Sequence, residues 1–171
     1  MTIDNKFLNF YILILLSIFP ISILAGPAVS LSITLFLSLS FIFIFSRNNF
    51  QIISKNKNVL LLIVLYFYLI LNSFISTNFD IGLKRNFGFI RYILIFIVIN
   101  YFFFHSKSFE IIFKIWTMVF SLVFFDIFYE FFNGNNILGF VSENSKRIVS
   151  FFKDEQVVGA FLNGFIFILI G

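Results

Sequence analysis

Two carboxylates and a handful of cations are the side chains of this sequence that could do chemistry. Asp126 and Glu130 stand four residues apart in Phe124-Phe125-Asp126-Ile127-Phe128-Tyr129-Glu130, so a helix carries both on one face. At a helical rise of about 1.5 Å per residue, Asp126 lies about 9 Å inside the end of that apolar run at Phe132. An anion at that depth must be protonated, paired, or facing a wet cavity. A structural ion pair with Arg91 and a polar cavity shared with a substrate both meet the requirement. The cations are Lys84 and Arg85, Arg91, and Arg147 at the head of the stretch Arg147–Leu162. That stretch also holds Lys153, Asp154 and Glu155, and it runs through Gly159 into an apolar segment. The planar fork of an arginine matches a phosphate, so basic residues gathered on one membrane face suit a phosphate-bearing ligand. Two plainer readings stay open. Later charges can be tolerated by a topology that earlier helices set, and Arg91 can snorkel to the surface.

The elements that must position these residues are membrane helices. The chain is 60% hydrophobic and 12% charged, with 31 Phe and no Cys among 171 residues, which excludes a soluble globular domain. A span needs about 20 mostly apolar residues. Runs of that kind occupy Phe7–Leu24, Ala28–Ser46, Val59–Ser76, Phe87–Phe104 and Ile111–Phe132. A sixth begins near Val157 and is still apolar at Gly171. The expected fold is therefore all-α, a polytopic transmembrane helical bundle of about six spans, the last truncated. Residues 1–171 form a single membrane domain on this reading, the N-terminal portion of something longer. The first run is too long for a signal-peptide core, and a second span follows at once. Gly26-Pro27 reads as the tight turn of a helical hairpin, and Pro20 as a kink or a place where the first helix unwinds.

Orientation rests on the placement of Lys and Arg. A cytoplasmic N-terminus puts Lys6, Arg47, Lys55 and Lys57 inside and leaves the first outer turn uncharged. The later outer segments then hold Lys84, Arg85, Arg91, Lys146, Arg147 and Lys153, against Lys107 and Lys114 inside. The counts balance, so the early segments favour the N-terminus inside while the later ones place cations on the outer face.

Several function classes are excluded. With His105 as the single histidine and no cysteine, a thiolate or multi-histidine metal site cannot be built. The sequence has no Walker-type phosphate loop, no dinucleotide glycine fingerprint and no serine nucleophile elbow. No basic stretch interleaved with aromatics points to nucleic acid.

The loop after Glu130 carries the one larger pattern. It turns at Asn133-Gly134-Asn135-Asn136, passes Gly139, and reaches Arg147-Ile148-Val149-Ser150-Phe151-Phe152-Lys153-Asp154-Glu155. This order resembles the bacterial O-antigen polymerases and O-antigen ligases, multi-span membrane enzymes that handle glycans on an undecaprenyl diphosphate carrier. Their pattern is an Asp near the end of a span, a Gly-x-x-x-x-Gly-like turn, and an Arg-x-Ser-Gly-x-Phe-x-Asp-Glu segment leading into a glycine-containing helix. Asp126 is similar to the span-end Asp, and Gly134 and Gly139 to the loop glycines. Arg147, Phe152, Asp154, Glu155 and Gly159 fall on their counterparts, and Arg91-Tyr92 and the Pro20 to Gly26 break are also similar. The departure is Val149-Ser150 in place of Ser-Gly, which removes a glycine suited to φ > 0.

The resemblance implies a lipid-diphosphate-dependent glycosyltransferase of the bacterial inner membrane that needs neither metal nor cofactor. Its partners would be an undecaprenyl-diphosphate-linked glycan and membrane lipid, with no nucleic acid. Arg147 and then Arg91, Arg85 and Lys84 would contact or attract the diphosphate. Asp126, Glu130, Asp154 and Glu155 would support and orient those cations, and the catalytic acid and base would lie beyond Gly171. The competing expectations are a transporter or channel subunit, with Asp126 and Glu130 on an ion path, and a structural membrane subunit.

Overall fold

The computed structural model describes residues 5–44, 56–105, 109–140, 147–152 and 157–170. The fold is all-α. In chain order the helices are α1 (Asn5–Ala25), α2 (Pro27–Ile44), α3 (Lys57–Ile75), α4 (Phe79–Gly88), α5 (Ile90–His105), α6 (Phe109–Asn133) and α7 (Val158–Ile170), with a 3₁₀ turn at Ser150–Phe152 before α7. Five segments are long and apolar enough to cross a membrane: Lys6–Ala25, Pro27–Ile44, Lys57–Ile75, Phe79–Phe103 and Phe109–Asn133. Large apolar side chains such as Phe7, Leu61, Phe125 and Phe132 are exposed on them, as lipid-facing positions must be when the solvent is hydrocarbon. This is a multi-pass membrane protein. The thirteen residues of α7 extend about 20 Å, short of the ~30 Å hydrocarbon core.

The chain forms two compact units, one from residues 1–15 and 31–107, the other from 16–30 and 108–171. In the first unit, Val59, Ile93 and Ile97 form a buried cluster with Phe41, Leu62, Tyr66, Phe89 and Phe96 around it. A polar tie fixes α4 against α3. The buried Asn86 amide donates to Leu69 O at 2.8 Å and to Ser73 Oγ at 2.7 Å. Gly82 faces α3 as well, and a Cβ there would make an ordinary van der Waals contact with Ser73 at 3.8 Å. The fourth span therefore differs from the expectation of a single helix starting at Phe87. It is preceded by the polar helix α4 and jointed at Phe89, where Phe89 N–H bonds Asn86 O and Tyr92 N–H bonds Phe89 O in 3₁₀ fashion.

In the second unit, α1 passes into α2 through the single non-helical residue Gly26, whose φ of +119° suits glycine. The expected Gly26-Pro27 turn is thus present. Pro20, in contrast, does not unwind its helix, because α1 runs unbroken from Asn5 to Ala25. Proline has no N–H to give the carbonyl four residues back, which is Leu16 O. The Trp116 indole N–H on α6 donates to that carbonyl at 2.8 Å. Trp116 also meets the rings of Phe19 and Phe165 at 6.5 and 5.3 Å. Around it lies the unit's core of Val119, Val123, Phe152, Phe161 and Phe165.

Candidate functional site

The α6 helix delivers both carboxylates to one place, as their spacing requires, and both are buried there: Asp126 is 0% exposed and Glu130 5%. The helix closes at Gly134, whose N–H returns to Glu130 O at 2.8 Å and whose φ is +78°. A tight turn follows over Asn136–Phe140. In it Asn136 N–H donates to Phe140 O at 3.1 Å, Gly139 adopts a φ of +81°, and Asn136 Oδ1 accepts from Phe140 N–H at 2.7 Å.

The chain then returns to the end of α6 and is clasped by the two acids. Glu130 Oε1 accepts from Val149 N–H at 3.0 Å, and Oε2 from Ser150 N–H at 2.6 Å. Asp126 Oδ1 accepts from Ile137 N–H at 2.9 Å, and Oδ2 from the Ser150 hydroxyl at 2.6 Å. Asn136 closes the ring by donating from Nδ2 to Ser150 O at 2.8 Å. Each carboxylate oxygen thus has a donor. Charge-assisted bonds of this kind make a buried anion tolerable. The partners of Asp126 are a loop amide and a hydroxyl.

Ser150 is the centre of the clasp. It is wholly buried, and its φ of +50° makes it the one non-glycine residue with positive φ among the described residues. A left-handed conformation costs a side-chain-bearing residue about 1–2 kcal/mol. Bonds from its amide, hydroxyl and carbonyl hold it there. A serine therefore makes a left-handed turn here.

Arg147 stands exposed three residues before Ser150. It lines an open groove of about 320 Å³ with Ile148, Val149, Val158 and Gly159. The clasp on Val149 and Ser150 tethers the arginine's backbone at that groove. The remaining expected cations belong to the other unit. Lys84 and Arg85 are exposed on α4, and Arg91 is half-buried in the first turn of α5. The Arg91 Nη2 donates to Tyr92 Oη at 3.0 Å, with Cζ 4.8 Å from the Tyr92 ring centre. Its Nε is enclosed without an acceptor. Asp154 and Glu155 lie outside the described residues, as does Lys153. No cluster of three or more His, Cys, Asp or Glu side chains that could hold a metal occurs among the described residues.

Sequence reasoning missed Asn136 and Ser150. Asn136 registered only as part of a turn, and Ser150 only as a lost glycine.

Fold and site together define a multi-pass α-helical membrane protein with a loop clasped over the end of one span. Comparison with known protein families, with characterised proteins and with solved structures finds no match.

Proposed function

We propose that this chain is part of a membrane glycosyltransferase resembling the O-antigen polymerases and ligases. It would act on an undecaprenyl-diphosphate-linked glycan at the outer face of a bacterial inner membrane, with its N-terminus in the cytoplasm. In that reaction an acceptor hydroxyl oxygen bonds to the anomeric carbon at the donor's reducing end. The bond from that carbon to the diphosphate oxygen breaks, and the lipid diphosphate leaves as an anion. The diphosphate is already an activated leaving group, so the demand on the protein is to stabilise the negative charge that grows on it. Arg147, held at an open groove, suits that task. Lys84, Arg85 and Arg91, on the other unit, would attract anionic carrier lipid in their own right. Asp126 and Glu130 are buried and committed to the loop, so a base outside the clasp would take the acceptor's proton.

The observation that carries this reading is Ser150. At the position of the family's glycine it adopts positive φ, with its hydroxyl on the residue matched to the family's span-end Asp. The same carboxylates were the motive for an ion-path reading, and their commitment to the loop weakens it.

Deleting the gene from the native cell tests the proposal. Lipid-linked oligosaccharide should accumulate while long-chain surface polysaccharide, or its attachment to the lipid core, is lost. An unchanged glycan profile together with altered ion or solute flux would replace the proposal with a transport role.

A further inference from the structure

The joint between α4 and α5 has a feature independent of the clasp. Gly88 is exposed, and a Cβ built on it would have no atom within 4 Å. Phe89 keeps right-handed helical angles, φ −65° and ψ −24°, so the backbone continues with helical sense through the joint. Residues three and four positions away on a helix are surface neighbours, with Cβ atoms about 5–6 Å apart. For Gly88 those neighbours are Lys84, Arg85, Arg91 and Tyr92. A position without a side chain is thus ringed by three cations and a phenol. The 3₁₀ bonds at the joint bring the i, i+3 row of Arg85, Gly88 and Arg91 closer to eclipse.

The opposite side of α4 is spoken for, because Asn86 and Gly82 face α3. The cationic notch therefore faces away from the unit's packing. Asp80, one turn before Lys84, is the opposing charge on α4, leaving an excess of two positive charges from Asp80 to Arg91. Arg91 is under-used, with Nη2 on Tyr92 and an enclosed Nε that has no acceptor. Tyr92 Oη accepts that one bond and keeps its own proton to donate. A tetrahedral phosphate over Gly88 would supply acceptors for the Lys84 ammonium, the Tyr92 hydroxyl and the outer N–H groups of the two arginines, the enclosed Arg91 Nε lying out of its reach.

Depth selects the kind of phosphate. A helix carrying Asp80, Lys84, Arg85 and Asn86 cannot lie in hydrocarbon, whereas the run from Tyr92 to Phe104 is uncharged. This composition sets the notch toward the polar end of the fourth span, the side nearer the headgroups. We propose that Gly88, Lys84, Arg85, Arg91 and Tyr92 form a binding site for the phosphate of a membrane lipid. The inference does not rest on the glycan-transfer reading. The phosphate could come from an anionic phospholipid of the bilayer or from a lipid diphosphate, and these sources can be separated by experiment.

The test is native mass spectrometry of the full chain titrated with phosphatidylglycerol, phosphatidylcholine, undecaprenyl diphosphate or inorganic phosphate. Gly88→Leu is the decisive variant, because it keeps all three cations and has room to fold but fills the notch. Wild type should prefer phosphatidylglycerol to phosphatidylcholine, and Gly88→Leu should abolish the preference. Lys84→Gln, Arg85→Gln and Arg91→Gln should each weaken binding roughly fivefold, from the attraction of one basic residue to an anionic surface. Binding of undecaprenyl diphosphate but not phosphatidylglycerol, lost in the same variants, would assign the notch to the carrier lipid. Equal lipid affinities for wild type and Gly88→Leu would overturn the site, as would binding of inorganic phosphate alone. No turnover is measured, so failure here would withdraw Lys84, Arg85 and Arg91 from attracting the carrier but leave the role of Arg147 in transfer standing, and failure of the transfer reading would leave this lipid site standing.

Discussion

Replacing Glu130 with Ala should detach the loop from the end of α6 without unfolding the helix. Its carboxylate holds the amides of Val149 and Ser150 at 3.0 and 2.6 Å, and these residues are 4% and 0% exposed. Hydrogen bonds to a charged partner contribute about 1.5–3 kcal/mol each, so the pair is worth about 3–6 kcal/mol. Water cannot replace the lost acceptor while the loop stays docked, so the cheaper response is local opening. Even the lower figure corresponds to a roughly 100-fold rise in the open population. Hydrogen exchange read by mass spectrometry should show it as faster exchange in residues 147–152, with α6 still protected. Trypsin cutting after the exposed Arg147 gives a second readout. Glu130→Gln should behave nearly as badly, since its amide group presents a donor to one of two donors. Unchanged exchange in residues 147–152 of the alanine variant would refute the clasp.

Two further outcomes test the remaining packing arguments. Ser150→Gly should stay within about 1 kcal/mol of wild type in loop opening, because relief of the left-handed backbone offsets the lost hydroxyl bond to Asp126, whereas the β-branched Ser150→Val should open the loop outright. Trp116→Phe should cost about 1–3 kcal/mol in thermal or denaturant stability by orphaning Leu16 O. That cost should fall to less than half when Pro20→Ala restores a helical donor, and an unchanged cost would show that the indole bond contributes nothing.

The spans were legible in the sequence because hydrocarbon imposes a length and composition on anything that crosses it. The Gly26-Pro27 turn was legible for a similar reason, being local chemistry. What escaped depends on partners far away in the chain. Pro20 looked like a break because the donor that repairs it, Trp116, lies 100 residues on. Asp126 invited pairing with Arg91, since a charge is the obvious partner for a charge. Its actual partners include a backbone amide, which every residue but proline carries and no letter of sequence marks. The docking of α4 rests on Asn86 reaching the α3 carbonyl of Leu69, again a tertiary bond. Within the site, Asp126, Glu130 and Arg147 were identified from spacing and charge, while the residue that unites the clasp, Ser150, was seen only as a departure from a pattern.

The central functional claim is that Arg147 stabilises a lipid diphosphate leaving group. It is tested most directly by Arg147→Ala and Arg147→Lys at the native locus, with surface polysaccharide resolved by gel and protein level measured in parallel. Arg147 is exposed and outside the clasp, so both variants should accumulate normally. The diphosphate reading predicts that alanine removes long-chain polysaccharide and that lysine, a point charge without the planar fork, restores it only in part. Normal polysaccharide from the alanine variant at normal protein level would contradict it.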